Sequence, residues 1–132
     1  MKKNKIIFWI ATSIVFLVEG LMPFATLILS PENFNAGTKP LGYPDYFAYA
    51  LIACKVLGSI ALITPKLNPK LIEWAYAGLA FNLLFASYSH IMEDKNIGFI
   101  LFPLIVGLFL MVSYTYRKKL NPQNQLAYTE AN

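Results

Sequence analysis

Long apolar stretches alternate with short polar breaks along the chain, and this pattern predicts four helices. The stretches cover residues 6–29, 46–64, 71–92 and 97–116. At about 1.5 Å rise per residue, each is close to the roughly 30 Å apolar thickness of a bilayer. The breaks at 65–70 and 93–96 are short, so the helices that they join should be antiparallel neighbours. We therefore predict an all-α fold, an integral membrane four-helix bundle over residues 1–120, with a polar cytoplasmic tail at 121–132.

The composition agrees with a membrane protein and excludes several other classes. Of the 132 residues, 57% are hydrophobic and only 14% are charged, against about 45–50% and 25% in ordinary globular chains. A disordered or nucleic-acid-binding protein would need lower hydrophobicity or dense basic patches. The single cysteine and single histidine cannot supply a disulfide framework or a zinc site within one chain, so we expect no metal.

The first apolar stretch has two interpretations. Lysines at positions 2, 3 and 5 followed by an apolar run are typical of a signal peptide. The run continues to Leu29, however, which is longer than the apolar region of a typical signal peptide. We interpret it as an uncleaved first helix.

The distribution of basic residues predicts the orientation. With four spans, one side carries Lys2, Lys3, Lys5, Lys66, Lys70, Arg117, Lys118 and Lys119. The other side carries Lys39 and Lys95. Because Lys and Arg are enriched in cytoplasmic loops, both termini should lie in the cytoplasm, which is the N-in/C-in topology of a multi-pass membrane protein.

Three polar residues near the middle of the apolar stretches are the main candidates for function. Glu19, Lys55 and Asn82 lie on the first, second and third stretches at similar depths, so a bundle can gather them in one layer. A charge at the bilayer centre costs about 2.5–3.5 kcal/mol, which makes a retained one a functional hypothesis. The alternative is that Glu19 and Lys55 form a buried ion pair that only fixes the helix register.

Pro23 adds a feature to this layer. It lies four residues after Glu19 and has no N–H, so the Glu19 carbonyl loses its usual helical donor and a kink is expected. In an apolar medium that oxygen needs another donor, and Lys55 or Asn82 is the candidate.

His90 lies about two turns outward of Asn82, close to Glu93 and Asp94. Three roles are open for it. It can pair with a nearby acid at the membrane boundary, or relay protons between the outer surface and the buried polar residues. It can also ligate a haem or metal, although partner ligands are lacking.

Two stripes with a spacing of four are predicted to face neighbouring helices. The second helix carries the small residues Ala50, Cys54 and Gly58. On the third helix, Gly78 and Ala86 should allow close approach of a neighbour, and the polar side chains of Asn82 and His90 should point into the bundle. Cys54 is accordingly interpreted as a packing residue, with a reactive thiol as the alternative.

With these features in place, the chain resembles the DoxX-like family of small four-helix bacterial membrane proteins over about residues 5–117. The resemblance lies in Glu19, in Leu-Gly-Tyr-Pro at 41–44, in Lys-Val-Leu-Gly at 55–58, and in Glu-Trp-Ala-Tyr-Ala-Gly at 73–78 leading to Ser89 and His90. It implies kinship with DoxD and DoxX proteins linked to thiosulfate:quinone oxidoreductase and to membrane oxidoreductase complexes. Animal relatives include a receptor-assembly chaperone.

Three functions follow as hypotheses, none of them a stand-alone enzyme. The first is a redox-associated subunit that binds a quinone or other lipid-soluble molecule at Glu19, Lys55, Asn82 and His90, next to a membrane oxidoreductase partner. The second is a non-enzymatic scaffold or assembly chaperone for a partner membrane protein. The third is a small proton-coupled transporter, which would need a homodimer because four helices enclose only a small pore. The bilayer is the expected environment in each case, and nucleic acid is not an expected partner.

Overall fold

The computed structural model describes residues 2–36, 38–64 and 67–120, and the chain is helical without β-strands in these ranges. Four helices form the bundle: α1 (Lys2–Leu29), α2 (Asp45–Ile63), α3 (Pro69–Met92) and α4 (Ile97–Leu120). Short 3₁₀ turns at Pro31–Asn33 and Lys39–Leu41 lie between α1 and α2. The all-helical fold with four helices is confirmed. Lys66 and the tail 121–132 lie outside the described residues.

Local sequence explains where α2 and α3 begin. The Asn68 side chain accepts a hydrogen bond from the Lys70 N–H at 2.8 Å, and Pro69 occupies the first turn of α3, where its fixed φ and missing N–H cost nothing. Before α2, Gly42 adopts a left-handed φ of 90°, which glycine tolerates without steric cost. Pro44 then extends the chain immediately ahead of Asp45.

The helices run up and down in a ring. α1 packs against α2 and α4, and α3 packs against the same two helices. Thr12 near the start of α1 contacts Ser113 near the end of α4, and Arg117 on α4 donates to the carbonyl of Leu62 at the end of α2. The start of α1 and the end of α4 therefore lie at one end of the bundle. We call it the basic end, formed by Lys2, Lys3, Lys5, Lys70, Arg117, Lys118 and Lys119.

The core is a narrow seam, and most large apolar side chains face outward. The buried cluster comprises Val15, Leu62, Tyr76, Leu79, Leu83, Val106 and Leu110. By contrast, Trp74 is 73% exposed, Phe85 62% and Leu108 64%. An apolar surface of this extent needs an apolar environment.

Helices α1, α2 and α4 are each long and apolar enough to cross a membrane. α3 has a comparable length of 24 residues but does not reach the same apolar composition, because Glu73, Asn82, His90 and two serines interrupt it. Three helices therefore support a membrane-spanning fold. That α3 also crosses the membrane, and that both termini lie in the cytoplasm, remain predictions.

The packing prediction for the small residues of α2 is wrong for Ala50 and Cys54, which are both exposed. Only Gly58 packs inward, where an added Cβ would come within 3.4 Å of Leu79. The cause is the orientation of Lys55 toward Glu19, since consecutive helical residues point about 100° apart.

The stripe predicted for α3 is correct for Asn82, which points to Glu19 in the bundle, and wrong for Gly78. Gly78 is exposed and has open space around it, so it does not allow a close helix contact. Asn82, Ala86 and His90 are half-buried. The buried face of α3 instead carries Tyr76, Leu79, Leu83 and Ser87, whose larger apolar side chains fill the seam.

A π-helical turn at Phe16–Leu21 widens α1 just before Pro23. Within it, the Met22 N–H bonds to the carbonyl of Leu17, five residues back. π-Turns of this kind insert one residue into an α-helix and often accompany functional sites. Glu19 and Gly20 are both buried within this turn.

Gly20 lets α1 approach α2 closely, and we predict that Gly20→Ala destabilises the bundle. An added Cβ would overlap the Oγ of Ser59 and lie 3.0 Å from its Cβ. We expect a loss of about 1–3 kcal/mol in the free energy of unfolding, measured by denaturant titration in micelles. Adding Ser59→Gly to Gly20→Ala should recover part of this loss, because it removes the overlapping atoms while a glycine inside α2 itself costs about 1 kcal/mol. Gly107→Ala is the control, because nothing lies within 4 Å of its added Cβ, and an equal loss there would contradict the prediction.

Candidate functional site

Glu19, Lys55 and Asn82 meet in the middle of the bundle, and we call these three residues the polar layer. The Asn82 Nδ2 donates to Glu19 Oε2 at 2.8 Å. The Lys55 Nζ lies 3.6 Å from the same oxygen. The three side chains come from α3, α1 and α2, so the polar layer joins three of the four helices.

Burial differs sharply between the two charges. The Glu19 side chain is 4% exposed, whereas that of Lys55 is 22% exposed. An ammonium group has three N–H donors, and within the described part of the chain Glu19 is the only carboxylate that Lys55 contacts. The polar layer is thus closed on the Glu19 side and partly accessible on the Lys55 side.

The backbone around the polar layer explains how a buried acid reaches its partners. Glu19 is buried within the π-turn, and Gly20 leaves room for the fully buried Ser59 on α2. The Ser59 hydroxyl donates to the Val56 carbonyl at 3.0 Å, so it stays paired inside its own helix. α2 can then lie close enough to α1 for Lys55 to reach the carboxylate.

Asn82, one of the two donors expected for the Glu19 carbonyl, binds a different oxygen of Glu19. Asn82 donates to the Glu19 carboxylate rather than to its backbone oxygen. Because the π-turn precedes Pro23 and changes the backbone pairing there, the expectation based on regular α-helical pairing does not apply.

His90 does not join the polar layer. Its Nδ1 lies 2.9 Å from Asp94 Oδ2, and its ring lies 5.3 Å from that of Phe99 between centroids. It is eight residues from Asn82 along α3, which is about 12 Å. Of the three open interpretations, the geometry matches pairing with an acid at the end of α3. Within the described residues, no three His, Cys, Asp or Glu side chains lie together as metal ligands would.

A second buried polar cluster was not predicted from the sequence. The Ser113 hydroxyl lies 2.6 Å from that of Thr12 and 2.7 Å from that of Tyr76. These three residues join α1, α3 and α4 near the basic end. Thr12 and Ser113 are conspicuous in the sequence as polar residues within apolar stretches, but their pairing is set by packing across helices.

Comparison with known protein families identifies the family of this chain. A family model described as the DoxX-like family matches residues 7–113. The chain belongs to the DoxX-like family. The resemblance drawn from the sequence is therefore confirmed, and the matched range contains every member of the polar layer. Neither the comparison with curated proteins nor that with solved structures found a match for this DoxX-like protein.

Removal of one charge from the polar layer tests how strongly the pair is coupled. Lys55→Met leaves Glu19 buried without a cation, so we expect this DoxX-like protein to lose about 3–5 kcal/mol of unfolding free energy. Adding Glu19→Gln should recover most of that loss, because the buried charge disappears. Both variants are compared by denaturant titration with Lys39→Met, on the exposed connection before α2. A double variant as unstable as Lys55→Met would contradict the coupling.

The His90 contact holds the pKa of the Asp94 carboxyl below its usual value. A carboxyl whose folded-state pKa is lowered stabilises the fold at pH values above its usual pKa, and this contribution is lost as the pH falls through the lowered value. We therefore expect His90→Gln to raise the pKa of Asp94, measured by carboxyl-carbon NMR titration. An unchanged titration in this variant would show that His90 is not the cause.

Proposed function

We propose that this DoxX-like protein binds a lipid-soluble carbonyl compound, with a quinone as the candidate class, at the polar layer. In this proposal it is a redox-associated subunit beside a membrane oxidoreductase, in the bacterial cytoplasmic membrane, with the basic end in the cytoplasm. The observation that carries the proposal is the partly exposed Lys55 ammonium beside a buried acid, 3.6 Å from Glu19 Oε2.

The donors of the polar layer fit the chemistry of a quinone. A quinone oxygen accepts hydrogen bonds, and Lys55 and Asn82 are donors. The 22% exposure of Lys55 supports access from the apolar surroundings of the bundle. A bound quinone would supply two-electron redox chemistry, while this chain would hold and orient its oxygen.

Glu19 has a different role from the two donors Lys55 and Asn82. Beside a cation and an amide donor, it can hold a proton next to a bound oxygen, and its burial keeps that proton from bulk water. His90 at the end of α3 is bonded to Asp94 and contributes no contact to the polar layer. We therefore restrict the proposed ligand contacts to Glu19, Lys55 and Asn82.

The second candidate is a scaffold or assembly chaperone in which the polar layer only fixes the helices. It is favoured by the pairing of Glu19 with both partners inside the bundle. In the described part of the chain, no fully buried side-chain nitrogen or oxygen lacks a hydrogen-bond partner. Such a layer needs no ligand to be satisfied.

Quinone binding to the full chain in nanodiscs separates these candidates. We expect a short-chain ubiquinone or menaquinone analogue, titrated by equilibrium dialysis, to bind the unmodified protein. The test variant is the double variant Lys55→Met with Glu19→Gln, in which the second substitution preserves folding. Its quinone binding should be about tenfold weaker, because a charge-assisted hydrogen bond is lost. Lys39→Met is the matched control and should bind as the unmodified protein does.

Folding of each variant is checked by circular dichroism before binding is compared. Equal quinone binding by the folded double variant and the Lys39→Met control would contradict a site at the polar layer. Absence of quinone binding in all three proteins, together with a stable membrane-protein partner on pull-down, would favour the scaffold.

A further inference from the structure

A cleft between α3 and α4, separate from the polar layer, has a polar mouth and an apolar floor. Its volume is about 250 Å³. Glu73 and Tyr114 line the mouth. The buried Tyr76 and Leu110 form the floor, and Ala77, Ala80 and the 67% exposed Met111 line the sides. This volume is below the roughly 300–1,000 Å³ of pockets that enclose a drug-sized ligand, so the cleft suits part of an extended molecule.

The mouth carries opposite charges on its two helices. The Tyr114 hydroxyl on α4 donates to Glu73 Oε2 on α3 at 2.9 Å. The Lys118 Nζ lies 4.5 Å from the centroid of the Tyr114 ring. A single tyrosine therefore lies between a carboxylate and an ammonium, and both charged residues are exposed.

The floor extends from this mouth toward the middle of the bundle. Glu73 lies in the second turn of α3, and Ala80 is seven residues further along, which is about 10 Å. On α4, Leu110 precedes Tyr114 by one turn in the antiparallel direction. The cleft thus matches the shape of a lipid at a membrane surface, with charge at the helix ends and an apolar groove that runs along the two helices away from it.

From this layout we infer that the cleft binds an aminophospholipid, with phosphatidylethanolamine as the committed ligand. Its primary ammonium pairs with Glu73, its phosphate pairs with Lys118, and the start of one acyl chain lies along Ala77, Ala80 and Met111. A carboxylate accepts up to about four hydrogen bonds, so Glu73 can bind the ammonium while it remains bonded to Tyr114. The inference does not depend on the proposed quinone site.

Charge complementarity distinguishes this ligand from other phospholipids. Phosphatidylglycerol offers a phosphate for Lys118 but no cation for Glu73. Phosphatidylcholine has a quaternary ammonium without N–H donors, so it cannot donate a hydrogen bond to the carboxylate. Because a charge-assisted hydrogen bond is worth about a factor of ten in affinity, the cleft should prefer phosphatidylethanolamine to both by about tenfold.

Native mass spectrometry of the full chain tests this preference, with the three lipids carrying identical acyl chains. Glu73→Gln should abolish the preference for phosphatidylethanolamine over phosphatidylcholine. Lys118→Met should weaken both lipids alike, because both carry the phosphate. Ala77→Leu should weaken all three by filling the cleft, whereas Ala53→Leu, at an exposed site on α2, should change none.

Several results would overturn the inference. They are equal binding of the three lipids, tighter binding of phosphatidylglycerol, or an unchanged preference in Glu73→Gln. Equal lipid binding by Ala77→Leu and Ala53→Leu would remove the cleft as the site. Circular dichroism establishes that each variant is folded, and Glu73→Asp, which keeps the carboxylate, should retain part of the preference.

Discussion

A carboxylate enclosed by apolar helices must be matched by a cation or by hydrogen-bond donors, and the middle of this bundle is arranged around that requirement. Glu19 is almost fully buried, with Lys55 and Asn82 on the same carboxylate oxygen. Since the partners come from two other helices, satisfying one side chain fixes the positions of three. The rotation of α2 follows from this, because Lys55 must face α1 and Cys54 is thereby left on the outer surface.

The backbone of α1 has two features where it approaches α2 at the polar layer. The π-turn at Phe16–Leu21 buries Glu19 and Gly20 together, and the missing Cβ of Gly20 leaves room for Ser59. The acid and the contact that brings α2 near it are therefore consecutive residues. A turn with an unusual hydrogen-bond pattern therefore lies at the buried carboxylate.

Nearer the basic end, the bundle is held by neutral hydroxyls instead of charges. Thr12 and Tyr76 both form hydrogen bonds to Ser113. Arg117 donates to the Leu62 carbonyl, and its guanidinium lies over the Phe8 ring. Polar groups that pair within the bundle are needed because the surrounding medium offers few partners. Polar contacts thus link the four helices at two levels, in the polar layer and near the basic end. The apolar seam that includes Val15, Leu79 and Leu83 fills the interior of the bundle.

The sequence by itself determined the number and approximate bounds of the helices, because the lengths of apolar runs and the polar breaks are local properties. It also identified Glu19, Lys55 and Asn82, since polar residues within apolar stretches are conspicuous in any order of helices. Only the tertiary structure decided which faces meet. Sequence spacing did not predict the burial of Gly20 on α1 or the exposure of Gly78 on α3, because the side of a helix that meets a neighbour depends on how the helices pack. Tyr76 and Ser113 were missed for the same reason, because their pairing depends on contacts between helices that no local pattern encodes.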